Sequence, residues 1–162
     1  MALSACNAVV NPSFESGVLF PWRASAVNVA TVSNAASAYS GEYYLELQTA
    51  IDNGGNTISQ SLENLKRGTK YDFSAEIQVP YAGAEYCFIS VYMGRNATKG
   101  HIATKEVTDF GKWVSVTGSY TPRRSEDRLN ILAACDFPDN SVTGRVYIDD
   151  VLFAPSGSCG SN

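Results

Sequence analysis

The sequence lacks several features that would place it in large classes of protein. No apolar run approaches the roughly 20 residues needed to cross a bilayer, so we expect no membrane insertion. Met1-Ala2-Leu3 has neither the basic start nor the apolar stretch of a signal peptide, which suggests a start trimmed from a longer protein. There is no Cys-x-x-Cys spacing and only one histidine, His101, so a zinc site is poorly supported.

Positive charge is also scarce. The chain has 12 Lys and Arg against 16 Asp and Glu, which gives a net charge of -4. The densest basic group, Arg123, Arg124 and Arg128, is interrupted by Glu126 and Asp127. Because this balance repels polyphosphate, we expect no nucleic-acid partner.

Helical patterns are missing as well. Good helix formers are few, and no segment of ten residues has a helical period. The 162 residues fit one domain, which we place at residues 1–155, and residues 156–162 resemble a tail or the start of a flexible linker. We therefore expect that further domains of a larger secreted protein follow.

What the sequence does contain is alternation of apolar and polar residues between turn signals. Residues 71–79 and 86–93 alternate most clearly, and six further segments are predicted as strands: 28–33, 43–47, 57–62, 113–120, 129–135 and 146–153. Eight or nine strands without helices predict an all-β fold, a two-sheet antiparallel β-sandwich. We expect residues 71–79 and 86–93 to be neighbouring strands of one sheet, with Cys87 pointing inward and Tyr86 and Tyr92 pointing outward.

The four cysteines allow three pairings. Cys6 and Cys159 flank the domain, whereas Cys87 and Cys135 lie inside strand-like segments, so we predict the pairs Cys6–Cys159 and Cys87–Cys135. Disulfides imply an oxidising compartment and hence a secreted, extracellular protein. Asn96 begins an Asn-Ala-Thr sequon in a glycine-flanked loop, where we expect a glycan.

Three stretches together resemble a known family. They are residues 11–17 with Pro21-Trp22, residues 38–41 leading to 45–47, and residues 146–151 with the sequence Val-Tyr-Ile-Asp-Asp-Val. This pattern resembles the carbohydrate-binding modules of families 4, 9 and 22, which are jelly-roll (galactose-binding-domain-like) sandwiches attached to polysaccharide-degrading enzymes. The same signature occurs in secreted proteins with an internal cysteine pair, including fungal ones. The resemblance implies a lectin-like, non-catalytic module that binds a polysaccharide or glycan of a cell wall or matrix.

The resemblance also implies a structural calcium ion, held by Glu15 and Asp149. Calcium prefers several oxygen ligands, and backbone carbonyls of residues 39–42 would complete the shell. Alternation places Asp149 on the same inward side as Val151 and Phe153, where a carboxylate needs a partner. The alternative is that both carboxylates are solvated or bonded to backbone at a sheet end.

A sugar site combines aromatic platforms with planar polar groups. The candidate residues are the platform Tyr86, Phe88, Tyr92 and Tyr81, with the polar groups Glu76, Gln78, Asn130 and Asp136. Any of these aromatics can instead pack under a loop. We interpret Trp22 and Trp113 as packing residues, with Trp22 closing one end of the sandwich.

Catalytic patterns are weak. No Gly-x-Ser-x-Gly or His-Glu-x-x-His motif occurs, and adjacent carboxylates in a strand point to opposite faces. We therefore predict that the chain is not an enzyme. Two alternatives stay open: an extracellular structural or adhesion domain that binds no sugar, and, as a minor one, a glycosidase or a polysaccharide lyase using a tyrosine and His101.

Overall fold

The computed structural model describes residues 6–81 and 83–159, and this part of the chain forms ten β-strands and no helix. The strands are β1 (Arg23–Ala24), β2 (Ala30–Ser33), β3 (Tyr44–Gln48), β4 (Gly55–Leu62), β5 (Tyr71–Gln78), β6 (Tyr86–Met93), β7 (His101–Val107), β8 (Trp113–Tyr120), β9 (Asp127–Asp136) and β10 (Arg145–Pro155). The described residues therefore include no helix able to span a membrane.

The strands form two antiparallel five-stranded sheets. Sheet A has the order β1-β4-β9-β6-β7, and sheet B has the order β2-β3-β10-β5-β8. The predicted all-β sandwich is confirmed, but the predicted pairing of β5 with β6 is wrong. Strand β5 pairs with β8 and β10, whereas β6 pairs with β7 and β9 in the other sheet. Between the end of β5 and the start of β6, the chain crosses from one sheet to the other.

The core lies between the sheets, where every second side chain of β5 and β6 is buried. Strand β6 alternates without interruption, with Cys87, Ile89, Val91 and Met93 inward. Ile131 of β9 and Phe73 of β5 are among the fully buried residues that fill the space between the layers. This regular alternation is why the sequence predicts β6 with its observed bounds.

Two strands were not predicted, and both lie at the edges of sheet A. Strand β7 has the burial order exposed, buried, buried, exposed, because its register with β6 shifts between Val91 and Tyr92. Such a bulge interrupts the two-residue period on which strand prediction depends. Strand β1 is only two residues long and leaves no periodic signal.

Both predicted disulfides are present. Cys87 and Cys135 stand directly opposite each other on β6 and β9, and Cys6 is bonded to Cys159. The backbone N–H of Ser156 also donates to the carbonyl of Lys70 over 3.0 Å. Within the predicted tail, Ser156 and Cys159 are thus attached to the sandwich.

Candidate functional site

The outward face of sheet A carries three aromatic side chains on one strand. Tyr86, Phe88 and Tyr92 alternate along β6 with the buried residues, and all three are half-buried. At about 3.4 Å per residue, Tyr86 and Tyr92 are roughly 20 Å apart along the strand. No ring-to-ring contact of the described residues involves any of the three. No other aromatic ring of the described residues therefore covers these three rings.

One row of side chains crosses all five strands of sheet A at Tyr92. Strand register places the members opposite one another in the order Arg23, Ser59, Asn130, Tyr92, His101. With about 4.8 Å between strands, the row spans roughly 19 Å. It presents a cation, a hydroxyl, an amide, an aromatic ring and an imidazole to one side.

A depression of about 310 Å³ lies along this row. Its lining includes Arg23, Ser25, Thr57, Ser59, Tyr92, Arg128 and Asn130. The hydroxyl of Ser25 accepts the N–H of Thr57 over 2.8 Å, so the segment after β1 is held against β4. Five of these residues were not predicted as site residues: Arg23, Ser25, Thr57, Ser59 and Arg128. Alternation around the buried Ile58 indicates that Thr57 and Ser59 point outward, but only the tertiary structure brings β4 beside β9.

Two of the predicted polar residues lie on this face and already make protein hydrogen bonds. Asn130 is 3% exposed, and its Nδ2 donates to the carbonyls of Tyr92, Gly94 and Arg128 over 2.8 to 3.2 Å. Asp136 stands opposite Tyr86, and its Oδ1 accepts the Nδ2 of Asn53 over 2.7 Å. Both side chains are thereby fixed in position, and each retains an oxygen for which no protein donor is found among the described residues.

The other predicted residues do not join this surface as expected. Glu76 and Gln78 lie on the outward face of sheet B, so they are on the opposite side of the sandwich from Tyr92. Glu76 there accepts the hydroxyl of Ser115 over 2.6 Å. Their placement beside the tyrosines is a consequence of the wrong β5–β6 pairing. Tyr81 is 59% exposed in the loop that leads to Tyr86.

Sheet B has an aromatic cluster of its own, which sequence reasoning missed. Tyr39, Tyr44, Trp113 and Tyr147 contact one another with ring centroids 4.5 to 6.5 Å apart. Tyr44 points outward but is only 1% exposed, because the other rings cover it. Burial, followed by the neighbouring Tyr44, raises the pKa of the Tyr147 phenol to about 12. These rings stabilise one another and hold the loop that contains Tyr39.

Trp22 and Trp113 have different environments. Trp22 is buried beside Phe14, and its Nε1 donates to the carbonyl of Asn11 over 3.1 Å, which confirms a packing role. Trp113 packs too, but in the outward cluster on sheet B and not in the core.

The carboxylates predicted to bind calcium meet at one loop, residues 39–43. Glu15 accepts the backbone N–H groups of Glu42 and Tyr43 over 3.0 Å. Asp149 accepts the N–H of Ser40 over 3.1 Å, and Asp150 accepts the hydroxyl of Ser13 over 2.7 Å. The Glu15 carboxylate occupies the space beside Gly41 that a side chain would need.

Asp149 is fully buried, but it does not face the core between the sheets. It stands opposite Glu76 on the outward side of sheet B, beneath the loop that contains Ser40. The predicted inward direction is wrong because β10 carries a bulge at Asp150, whose φ is 46°, and the extra residue reverses the alternation before Val151. Burial raises the pKa of Asp149 to about 7, although hydrogen bonds from Ser40 and Asp150 oppose the shift.

Together, the two-layer antiparallel sandwich and the aromatic and polar side chains across one sheet define a domain of the jelly-roll class with a surface suited to an extended ligand. Comparison with known proteins specifies the class further. The chain belongs to the carbohydrate binding domain family CBM_4_9, whose model matches residues 6–134. It is thus a carbohydrate-binding module. No curated protein matches the chain.

Solved structures of carbohydrate-binding modules have the same fold. The CBM22-1 xylan-binding domain of Paenibacillus barcinonensis Xyn10C is 22% identical, with a TM-score of 0.67 over 94% of this chain and 97% of that one. The C-terminal family 22 module of Clostridium thermocellum Xyn10B is 20% identical, with a TM-score of 0.67 over 96% and 97%. TmCBM61, solved with β-1,4-galactotriose, is 19% identical, with a TM-score of 0.67 over 93% and 99%. At these identities the likeness establishes the fold.

Proposed function

We propose that this module binds a polysaccharide chain across the outward face of sheet A, with Tyr92 as the stacking residue. The observation that carries the proposal is the row through Tyr92. In this row the Tyr92 ring, which contacts no other aromatic ring of the described residues, lies between the amide of Asn130 and the imidazole of His101. Sugar rings have an apolar face and a rim of hydroxyls, so they are bound by this combination of groups. Tyr86 and Phe88 extend the surface along the strand.

Hydrogen bonding would come from the depression beside Tyr92. Arg23 can donate to sugar hydroxyls, and the hydroxyl of Ser59 can donate or accept. The Nδ2 of Asn130 already donates to backbone carbonyls, so Asn130 would contribute its Oδ1 as an acceptor. This side of the sandwich is favoured over sheet B, whose rings cover one another.

The proposed role is binding without bond cleavage. His101 stands opposite Tyr92, which is the pair that a lyase would use. His101 is exposed, however, and no hydrogen bond from the described residues orients its ring. General base catalysis needs an oriented base within hydrogen-bonding reach of its target.

The experiment is a binding panel with a product assay on the same samples. The protein is incubated with insoluble xylan, β-glucan, mannan, chitin and galactan, and the fraction retained is measured against bovine serum albumin. We expect retention on at least one polysaccharide, without new reducing ends or unsaturated products. Retention on none would favour an adhesion domain, and product formation would show an enzyme.

We also propose that a structural calcium ion binds at the loop of residues 39–43. The residues present fit the ion, because Glu15 and Asp149 approach this loop and, among the described residues, no cationic side chain pairs with the buried Asp149. The described residues contain no group of three carboxylate, histidine or cysteine side chains close enough to hold a metal, so backbone and hydroxyl oxygens would complete the shell. Bound calcium would supply the positive charge that offsets burial of the Asp149 carboxylate.

The calcium proposal is tested by thermal unfolding in excess calcium and in excess chelator. Binding to the native state raises the melting temperature by mass action, and we expect the shift to disappear in E15Q/D149N. An E42Q variant, which keeps the backbone N–H that Glu15 accepts, is the control and should retain the shift. Equal melting temperatures with calcium and with chelator would contradict the proposal.

We propose that the module is secreted, since two disulfides need an oxidising compartment. Asn96 is exposed in the β6–β7 loop, where its Oδ1 accepts the N–H groups of Thr98 and Lys99. We propose that it carries a glycan, which mass spectrometry before and after glycosidase treatment would detect.

A further inference from the structure

Most of the positive charge of this acidic protein is gathered at one end of the sandwich. Two adjoining clefts, of about 610 and about 890 Å³, share Lys99, Tyr120 and Arg123 in their lining. The first is also lined by Arg95, Arg124 and Arg128, and the second by Arg67, Lys70 and His101. Seven of the 12 Lys and Arg thus lie around one continuous surface, which we name the basic cleft.

The seventh cation, Arg128, lies on β9, and the other six come from three separate loops. These loops are residues 63–70 between β4 and β5, residues 94–100 between β6 and β7, and residues 121–126 between β8 and β9. The N–H of Gly68 donates to the carbonyl of Pro122 over 3.0 Å, and the N–H of Gly94 donates to the carbonyl of Arg128 over 2.7 Å. The backbone that carries the charges is therefore fixed before any ligand binds.

The charges of the basic cleft are not neutralised from within the protein. The described residues contain two ion pairs, Lys112 with Asp109 and Arg145 with Glu46, and neither includes a residue of the cleft. Asp127 is the single acidic residue in the lining. The seven cations are exposed to solvent, so they remain free to pair with an anionic ligand.

We propose that the basic cleft binds the carboxylate or sulfate groups of an acidic polysaccharide. Several cations that repel one another on a fixed backbone attract a polymer with repeated negative charges. Each cleft lies in the volume range of small-ligand sites, which is enough for sugar rings. The half-buried ring of Tyr120 lies in the lining of both clefts and offers an apolar contact beside the charges.

A glycan is favoured over nucleic acid because the basic cleft continues into the sheet A face. Arg128 lines both the first cleft and the depression that contains Tyr92. One polysaccharide chain can thus run from the aromatic row into the cationic end of the module. The choice of a glycan rests on the proposed function, whereas the attraction of a polyanion rests on the charges alone.

The test measures binding by titration calorimetry at low salt with matched probes. Polygalacturonate is compared with its methyl-esterified form, dextran sulfate with dextran, and duplex DNA serves as a polyanion that is not a glycan. We expect one of the two charged glycans to bind, its neutral counterpart to bind more weakly, and affinity to fall as salt is added. The pair that responds identifies carboxylate or sulfate as the recognised group.

The site is tested with R123Q/R124Q and with the control K105Q/K112Q, which removes the same charge outside the basic cleft. Two exposed ion pairs worth up to about 1 kcal/mol each predict a loss of roughly five- to thirty-fold for R123Q/R124Q and little change for the control. R123Q/R124Q should keep the wild-type melting temperature, because Arg123 and Arg124 are exposed. K105Q/K112Q should change it little, because the Lys112–Asp109 ion pair that it breaks is exposed.

Three results would overturn the inference. They are the absence of binding to both charged glycans, equal weakening by the two variants, and binding of duplex DNA as tight as that of the charged glycan. Failure here is distinguishable from failure of the proposed function. R123Q/R124Q leaves the residues around Tyr92 intact and should bind neutral polysaccharide as the wild type does.

Discussion

Replacing Tyr92 with alanine tests whether the polysaccharide binds to the outward face of sheet A or to that of sheet B. An aromatic side chain can bury 150 to 250 Å² in total, and a sugar ring stacked on one face would cover roughly 60 to 80 Å² of it. At about 25 cal/mol per Å², this contact is worth about 1.5 to 2 kcal/mol, or roughly a ten- to thirty-fold change in Kd. We therefore expect Y92A to bind the retained polysaccharide roughly ten- to thirty-fold more weakly in titration calorimetry.

The fold should tolerate this change. Tyr92 points outward, and the bond from the Asn130 amide goes to its backbone carbonyl, which alanine keeps. W113A is the matched control, since Trp113 is an outward aromatic on the other sheet. It should lower the melting temperature by uncovering Tyr44, and it should leave affinity unchanged. Unchanged affinity in Y92A, or an equal loss in W113A, would refute the assignment of the site to sheet A.

Three further predictions concern stability and modification. Cys87–Cys135 joins residues 48 apart, and the chain-entropy relation predicts that C87A/C135A loses about 4 kcal/mol in urea unfolding; a loss below about 1 kcal/mol would contradict this. The pKa of Asp149 is raised from 3.8 to about 7, so the folded protein binds the proton more tightly than the unfolded chain does. In chelator, stability should therefore fall by up to about 4 kcal/mol between pH 4 and pH 7, and the fall should vanish in D149N or, at pH 7, on adding calcium. Finally, N96Q should remove any glycan found by mass spectrometry without changing binding to neutral polysaccharide, because Asn96 lies outside the depression beside Tyr92.

Part of the candidate site was predictable because it depends on local alternation. The alternation of 86–93 requires Tyr86, Phe88 and Tyr92 to share one face once Cys87 is inside. The partners of that strand were not predictable, since alternation indicates which side chains point outward but not which strand lies beside them. For this reason Glu76 and Gln78 were placed next to the tyrosines, and Arg23 and Ser59 were not.

Irregular positions caused the remaining errors. A single bulge residue, Asp150, reverses the direction of Asp149 relative to Val151, and a positive φ at an aspartate leaves no periodic signal in the sequence. The outward cluster around Tyr44 was missed for a different reason. Its rings come from strands β3, β8 and β10 and from the loop with Tyr39, which are far apart in the chain.

The sequence by itself determined the all-β class and the inward side of each regular strand, because side-chain direction in an extended strand depends only on a residue's immediate neighbours. Only the tertiary structure decided which faces meet: it separated β5 from β6, aligned Arg23 with Tyr92, and brought Arg67, Lys99 and Arg123 to one end. Those arrangements depend on contacts between segments tens of residues apart, for which the order of residues along the chain carries no local signal.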